Sequence, residues 1–140
     1  MTYVYKQCTY RVSAKALINT SDGLLMVREG SEYWDLPGGG VEHFEEPEAA
    51  VRREIEEEIG LKVTSINTKR LRAWATYDKE HERPLLFLVY PTKVESEALK
   101  TTLYNGVELG VFTKESLLTL AIEPHIERYR KDLLEAVETF

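Results

Sequence analysis

The sequence predicts a layered domain of the α/β or α+β class, and three observations lead to this prediction. Short apolar segments typical of strands are interleaved with segments of helical periodicity. The length of 140 residues suits one domain, 1–140, around a single core. The chain is 43% hydrophobic and 30% charged, and no apolar run approaches the roughly 18 residues that a membrane span requires. We therefore expect a soluble globular protein that does not associate with membranes.

The first elements are two predicted strands followed by a glycine-rich loop. Apolar residues alternate well enough in 9–19 to predict a strand, the sequence TSDG predicts a turn, and 24–29 predict a second strand. Together these segments predict a hairpin-like opening. Pro37 followed by Gly38–Gly40 does not easily continue a strand or begin a helix. These residues therefore predict a loop whose backbone can approach a bound group closely.

A helix is predicted directly after this loop. Pro47 suits a first helical turn and Gly60 suits a C-terminal cap. The residues between them contain no helix breaker. The sequence therefore predicts a helix of roughly Pro47 to Ile59.

The second half predicts three more strands and two helices. Residues 62–77 read as strand material, and 78–83 read as a polar turn. The continuous apolar run 84–91, bounded by prolines, predicts a central strand covered on both faces. The remaining predicted elements are a strand at 106–113, a short helix at 114–121 and a C-terminal helix at 123–140 with Ile126, Tyr129, Leu133 and Val137 on one side.

Net charge and cysteine content constrain partners and location. The formal charge is −6 without a basic block, which argues against binding of a nucleic-acid polymer. A phosphorylated partner would need local arginines or a bound cation to overcome the repulsion. The first residues lack the pattern of a signal peptide, and the single cysteine, Cys8, cannot form an internal disulfide. We therefore predict a cytoplasmic protein.

The predicted helix carries an acidic stripe beside an apolar one. At 100° per residue, Val51, Ile55 and Ile59 share one face, and Glu54, Glu57 and Glu58 share the adjoining face. Like charges at these spacings destabilise a helix by a few tenths of a kcal/mol per pair. Solvation of an acidic face is one interpretation.

A divalent cation is the other interpretation of the acidic stripe. One pair of unit charges 4 Å apart gains about 4 kcal/mol at an effective dielectric constant near 20. Carboxylate oxygens are hard ligands suited to Mg²⁺ or Mn²⁺, and no His or Cys lies on the stripe to suggest zinc. Arg53, four residues before Glu57, can brace that carboxylate.

The spacing of these residues resembles the Nudix box at every defining position. The match runs through Gly39, Glu45, Arg53, Glu54, Ile55, Glu57, Glu58, Gly60 and Leu61. The resemblance implies the Nudix fold, an α/β/α sandwich with a mixed β-sheet. It also implies hydrolysis of a pyrophosphate linkage in a nucleotide derivative, with Mg²⁺ or Mn²⁺ as the cofactor.

The resemblance further implies roles for individual residues. Glu54, Glu57 and Glu58 would bind the metal, the backbone carbonyl of Gly38 would add a ligand, and Arg53 with Glu45 would orient these carboxylates. Glu54 is the preferred acceptor of a proton from the attacking water. A glutamate of a late loop takes that role in some relatives, and Glu95, Glu97 and Glu108 are the alternatives here.

Substrate contacts are predicted from the flanking segments. Arg28 and the backbone of Gly39 are candidates from the family resemblance. Strand alternation places Arg70, Arg72 and Trp74 on one face, which could grip a phosphate and stack on a base, although a half-exposed strand face is the simpler interpretation. The position of Tyr77 resembles that of a tyrosine in dinucleoside polyphosphate hydrolases of the family. Phe44 departs from the family pattern, because many members have glycine there, and it puts the loop geometry in doubt.

The leading hypothesis is therefore a Nudix pyrophosphohydrolase, with a (deoxy)nucleoside triphosphate or a dinucleoside polyphosphate as guesses for the substrate. The first alternative is a catalytically silent Nudix-fold module that binds nucleotides or regulates. The second is a merely acidic soluble domain. A homodimer is expected only by analogy with relatives.

Overall fold

The computed structural model describes residues 8–95 and 103–139. The strands in these ranges are β1 (Arg11–Leu17), β2 (Asn19–Thr20), β3 (Gly23–Arg28), β4 (Gly38–Gly40), β5 (Val63–Ile66), β6 (Arg72–Asp78), β7 (Arg83–Val94), β8 (Leu103–Tyr104) and β9 (Val107–Phe112). The helices are α1 (Pro47–Ile59), α2 (Lys114–Leu117), α3 (Pro124–Glu127) and α4 (Arg130–Thr139), and a 3-10 turn lies at Thr68–Arg70. In the part of the chain that the structure describes, no helix is both long and apolar enough to span a membrane.

Strand β7 is the centre of a mixed five-stranded sheet. It pairs in parallel with β1 on one side and antiparallel with β5 and β6 on the other. Strand β4 pairs antiparallel with the outer edge of β1, so that Ala14 lies opposite both Leu88 and Gly39. A second sheet has the order β2-β3-β9-β8.

Both faces of β7 are covered, as the sequence predicts for a central strand. Phe87 and Val89 belong to a core cluster that also contains Leu133 of α4. Tyr90 belongs to a second cluster that contains Ile55 of α1. Helices therefore pack on the two sides of a mixed sheet, and the predicted α/β fold class is confirmed.

The predicted hairpin-like opening is wrong for its main strands. Strands β1 and β3 lie in different sheets, and only the two residues of β2 pair with the start of β3. The reason is the burial of β1, where Ala14 and Ala16 enter one core cluster and Leu17 enters the other. A strand with apolar residues on both faces is stabilised more by pairing with the central strand β7 than by pairing in an exposed hairpin.

Helix α1 has the predicted bounds. Its last turn ends at Gly60, whose φ of 67° is the left-handed conformation that glycine adopts at little cost. The Gly60 amide donates to the carbonyl oxygen of Glu56 at 3.0 Å. Helix α1 therefore starts and stops at the residues that the proline and glycine signals indicate.

Three other predictions need correction. The glycines predicted to form a loop are strand β4, because β1 offers them a ladder of hydrogen bonds. The strand material at 62–77 is interrupted by the 3-10 turn, where the Asn67 side chain accepts from two backbone amides. The C-terminal helix is two helices separated at residues 128–129, where Tyr129 turns to stack on Trp74.

Candidate active site

The glycines of β4 bring the acidic stripe of α1 against the edge of the sheet. The backbone amide of Gly38 donates to Oε1 of Glu58 at 3.1 Å. A Cβ atom on Gly39 would lie 2.6 Å from Cδ of Glu54, which is too close for any side chain without a shift. A side chain at residue 39 would therefore displace the Glu54 carboxylate from its present position.

Arg53 organises the carboxylates around it. Its Nε lies 2.8 Å from Oε2 of Glu45, and its Nη2 lies 3.0 Å from Oε1 of the same group. Nη2 also donates to the carbonyl oxygen of Gly40 at 3.1 Å. Nη1 donates to Glu54 Oε1 at 2.8 Å and lies 3.4 Å from Glu57 Oε2. One guanidinium group thus joins the residues before α1 to two glutamates of the acidic stripe.

The electrostatic result of this pairing is clearest at Glu45. The hydrogen bonds from Arg53 lower the pKa of Glu45 to about 2, and the backbone amide of Glu42 assists. The same contact raises the pKa of the Arg53 guanidinium. Both groups stay charged throughout the physiological range.

Glu58 is in the opposite situation. Burial, assisted by the negative charges of Glu54 and Asp35, raises its pKa to about 7, although Lys15 and the amide of Gly38 act against the shift. The positive charge of Lys15 thus does not fully offset the cost of burying this carboxylate in its ionised form. A bound cation at this place would.

The donor set of the acidic stripe fits a hard divalent cation. Glu54, Glu57 and Glu58 provide only carboxylate oxygens, the ligands that Mg²⁺ and Mn²⁺ prefer. Among residues 8–95 and 103–139, no three His, Cys, Asp or Glu side chains are gathered closely enough to hold a metal ion as they stand. The Glu57 side chain is 61% exposed and lies toward Arg53. Closing a metal site therefore requires rotation of a solvent-exposed side chain.

A cavity of about 180 Å³ adjoins Glu58. Lys15 lies in its wall, with Nζ 3.2 Å from the carbonyl oxygen of Leu36 and 3.5 Å from Oδ2 of Asp35. His125 Nε2 lies 3.1 Å from the same Asp35 oxygen. Burial alone would raise the pKa of Asp35, but Lys15 and His125 outweigh it and lower the pKa.

Sequence reasoning missed this cluster of Lys15, Asp35 and His125. The one local signal is a lysine inside the otherwise apolar stretch from Ala14 to Ile18. A buried lysine requires a partner. Asp35 lies 20 residues from Lys15 in the chain, and His125 lies 90 residues from Asp35. Local patterns therefore do not identify these partners.

Arg28 lines the same cavity but is already paired. Its Nη2 donates to Oε1 of Glu108 at 3.2 Å, and Nε contacts the other oxygen of that carboxylate. The guanidinium also lies over the ring of Trp34, 4.5 Å from its centre. The hydrogen bonds from Arg28 lower the pKa of Glu108. A phosphate group would have to compete with Glu108 for this arginine.

Two further candidates for the proton acceptor are Glu95 and Glu97. Glu95 is exposed just beyond β7, where its backbone amide donates to the carbonyl oxygen of Lys62. Glu97 lies outside the described residues.

The strand face predicted to contact a nucleotide is not at this site. Trp74 is 1% exposed, stacks on Tyr129 with ring centres 4.8 Å apart, and donates to Oδ2 of Asp132 at 3.1 Å. Arg72 donates to the carbonyl oxygen of Asp132 at 3.0 Å. Tyr77 is half exposed near the turn that ends β6. Stacking of a base on Trp74 does not fit its burial, because α4 covers this face of β6.

Phe44 does not prevent the loop before α1 from placing Glu45 against Arg53. Its φ is 63°, and its side chain is fully exposed. A phenylalanine therefore adopts the left-handed conformation that glycine adopts more easily. The contact between Glu45 and Arg53 is formed nevertheless.

Comparison with known proteins agrees with this geometry. The family model described as NUDIX domain matches residues 9–131. The chain is 36% identical over 72 residues to an RNA pyrophosphohydrolase of Hydrogenovibrio crunogenus, covering 49% of this chain and 44% of that protein. It is 33% identical over 72 residues to Nudix hydrolase 25 of Arabidopsis thaliana, covering 49% and 41%. The match thus spans less than half of the length of these curated relatives.

A solved structure extends the similarity over most of the chain. The crystal structure of a MutT NUDIX hydrolase from Burkholderia pseudomallei superposes with a TM-score of 0.70 at 26% sequence identity. The superposition covers 92% of this chain and 98% of that one. The shared fold therefore extends over most of the chain.

Proposed function

The chain belongs to the NUDIX family, and we propose that it hydrolyses the pyrophosphate linkage of a nucleoside di- or triphosphate derivative. One observation carries this proposal: Arg53 holds Glu45 and Glu54 in one network directly beside the glycines of β4. Such a network positions carboxylates before any ligand arrives, which is what catalysis by orientation requires. The names of the curated relatives, RNA pyrophosphohydrolase and Nudix hydrolase, support the same reaction class.

The proposed cofactor is Mg²⁺ or Mn²⁺. NUDIX hydrolases generally use a divalent metal, and the carboxylates of α1 have the matching donor chemistry. We assign Glu54, Glu57 and Glu58 as ligands, with the backbone carbonyl of Gly38 as a further one. When bound, the cation supplies positive charge for the phosphate oxygens and for the water that attacks.

Glu54 is the proposed proton acceptor. Its Oε1 is fixed by Arg53 at 2.8 Å, and its Oε2 has no hydrogen bond to any residue that the structure describes. The carboxylate is thus oriented by one oxygen while the other can accept a proton from water. Arg53 and Glu45 act as positioning residues. Glu108 is the less suitable acceptor because Arg28 occupies both of its oxygens.

Substrate recognition is assigned to the cavity beside Glu58. Arg28 and the backbone of Gly39 are proposed phosphate contacts, because Arg28 lines the cavity that also adjoins Glu58. A nucleoside triphosphate and a dinucleoside polyphosphate stay the first substrates to test. The absence of binding to nucleic-acid polymers, the cytoplasmic location and homodimer formation also stay predictions.

A substrate panel tests the function. The purified protein is incubated with Mg²⁺ and nucleoside triphosphates, ADP-ribose, dinucleoside polyphosphates, nucleotide sugars and a short RNA with a 5′ triphosphate. Released phosphate or pyrophosphate is measured, with EDTA and the Glu57→Gln variant as controls. Metal-dependent turnover of one substrate class that the variant lacks supports the enzyme. Inactivity with every substrate in Mg²⁺ and Mn²⁺ refutes it and favours the silent nucleotide-binding module.

A further inference from the structure

We propose that the protein has a second ligand site, which binds a small organic phosphate away from the acidic stripe. The site is a cavity of about 270 Å³ between the turn joining β5 to β6, the end of β7 and helix α4. We call it the basic cavity. Its lining residues are Leu17, Ser65, Asn67, Arg70, Arg72, Pro91, Thr92, Lys93 and Ala136.

The basic cavity is separate from the candidate active site. It shares no lining residue with the cavity beside Glu58. Leu17 and Ala136 in its wall belong to the core cluster that α4 covers. Val51 and Ile55 of α1 belong to the cluster on the other side of the sheet. A ligand of the basic cavity therefore does not depend on the carboxylates of α1.

The side chains that line the basic cavity carry a positive charge, although the whole protein is acidic. Arg70, Arg72 and Lys93 line it, and none of its lining residues is an aspartate or glutamate. Neither Arg70 nor Lys93 forms an ion pair with any residue in 8–95 or 103–139. Three cations around one concavity, in a chain with a net charge of −6, leave an unbalanced local charge that an anion would neutralise.

Hydrogen-bond donors also outnumber acceptors there. The Asn67 Oδ1 atom already accepts from the backbone amides of Lys69 and Arg70, so its NH₂ group is the part left for a ligand. Arg72 uses Nη1 on the carbonyl oxygen of Asp132, and its other nitrogens stay available as donors. The hydroxyl of Thr92 donates to the carbonyl oxygen of Tyr90. A group with several acceptor oxygens, such as a phosphate, complements this donor set.

The floor of the basic cavity is apolar, which selects for an organic part on the ligand. Leu17 and Ala136 are fully buried in the wall, and the accessible part of the floor is Pro91 together with the methylene stems of the lining cations. An inorganic ion would leave this part uncovered, whereas a base, sugar or short alkyl group would bury it. The combination of three cations and an apolar floor points to a phosphomonoester or diphosphate of about mononucleotide size.

Binding is tested without divalent metal, so that the acidic stripe does not contribute. ADP, AMP and inorganic pyrophosphate are titrated into the protein in EDTA by isothermal titration calorimetry. We expect saturable binding of ADP or AMP that is stronger than that of pyrophosphate. The Arg70→Ala/Lys93→Ala double variant should weaken it by about tenfold or more, since it removes two of the three cations that line the cavity.

The matched control is the Lys69→Ala/Lys79→Ala double variant. Lys69 lies in the same 3-10 turn as Arg70, and neither lysine lines the cavity, so the control removes the same two positive charges and should leave affinity within about twofold. The replaced side chains are exposed, and unchanged melting temperatures will show that the variants are folded. The absence of binding by all three probes overturns the proposal. Equal weakening by the control variant, no weakening by the Arg70→Ala/Lys93→Ala variant, or binding of pyrophosphate as strong as that of ADP also overturns it.

The outcome is independent of the proposed hydrolysis. The Glu57→Gln variant, which should be inactive in the substrate panel, should bind ADP in EDTA as the native protein does. If ADP binds but no substrate is hydrolysed, only the proposed hydrolysis is refuted. If a substrate is hydrolysed but ADP does not bind in EDTA, only the proposed ligand site in the basic cavity is refuted.

Discussion

The guanidinium of Arg53 binds both oxygens of the Glu45 carboxylate, with Nε 2.8 Å from Oε2 and Nη2 3.0 Å from Oε1. This bidentate pair connects the loop before α1 to the middle of the helix. The same guanidinium reaches Glu54, so the loop, the β4 carbonyl of Gly40 and the acidic stripe are held as one unit.

Replacement of Arg53 by lysine should lower kcat by about tenfold or more. A lysine keeps the charge but cannot bind Glu45 with two parallel hydrogen bonds while also reaching Glu54. The loss of orientation should appear mainly in kcat, measured with whichever substrate the panel identifies. The control is Arg52→Lys, because Arg52 donates to the carbonyl oxygen of Val63 and not to the acidic stripe. Similar kcat values for the two variants would contradict the positioning role.

Replacement of Gly39 by alanine should weaken Mn²⁺ binding by about tenfold or more while the fold is kept. The new methyl group would lie 2.6 Å from Cδ of Glu54, and the flexible end of that side chain would move aside. The control is Gly40→Ala, whose methyl group would instead displace the guanidinium of Arg11. Both affinities are measured by calorimetry. Equal Mn²⁺ affinity in the two variants would show that the position of Glu54 is not critical.

Replacement of Lys15 by methionine should lower the free energy of unfolding by about 2–4 kcal/mol. The Lys15 side chain is only 11% exposed, and its loss leaves the buried Asp35 carboxylate with less compensation. Urea denaturation measures the change, with the exposed Lys79→Met as the control. The Lys15→Met/Asp35→Asn double variant should lose less than the sum of the single changes. Additive losses would mean that the two groups are not coupled.

The metal-free protein should lose stability as the pH rises from about 4.5 to 7. The folded-state pKa of Glu58 is about 7 and its ordinary value is 4.5, so the folded state binds more protons than the unfolded state in this interval. The free energy of unfolding should therefore fall with rising pH, by at most about 3 kcal/mol, since one pKa unit corresponds to about 1.4 kcal/mol. Urea denaturation in EDTA across this range measures it.

The Glu58→Gln variant provides the comparison for that pH dependence. Glutamine can still accept from the Gly38 amide but does not ionise, so this part of the slope should disappear. Its metal-free melting temperature should be no lower than that of the native protein near neutral pH. If the free energy of unfolding keeps the same pH dependence, or if the melting temperature is clearly lower, ionisation of Glu58 does not destabilise the metal-free protein.

Local signals predicted the parts of this molecule that local interactions determine. Pro47 and Gly60 identified the ends of α1, because helix termini depend on residues within one turn. The period of the apolar stripe correctly placed Val51 and Ile55 in the core. The contact of Arg53 with Glu57, four residues away, was also within reach of such reasoning, whereas the role of Glu45 beside Arg53 came from the resemblance to the Nudix box.

Contacts between residues far apart in the chain explain why the predicted hairpin and the predicted nucleotide-binding strand face are wrong. The parallel ladder between β1 and β7 joins Arg11 to Leu85, and no local pattern distinguishes it from a hairpin. The burial of Trp74 depends on α4, where Asp132 accepts its indole hydrogen bond from 58 residues away. Alternation correctly separated the two faces of β6, but only the tertiary fold determined which face is covered.

Titration of Mn²⁺ into the native protein by isothermal titration calorimetry shows whether the carboxylates of α1 form a metal site. Glu57→Gln and Glu58→Gln are compared with Glu56→Gln, a change at an exposed glutamate of the same helix that lies off the acidic stripe. We expect saturable binding that the first two changes weaken by about tenfold or more, equivalent to about 1.4 kcal/mol, and that Glu56→Gln leaves unchanged. The absence of binding to the native protein, or equal affinity in all three variants, would contradict this expectation.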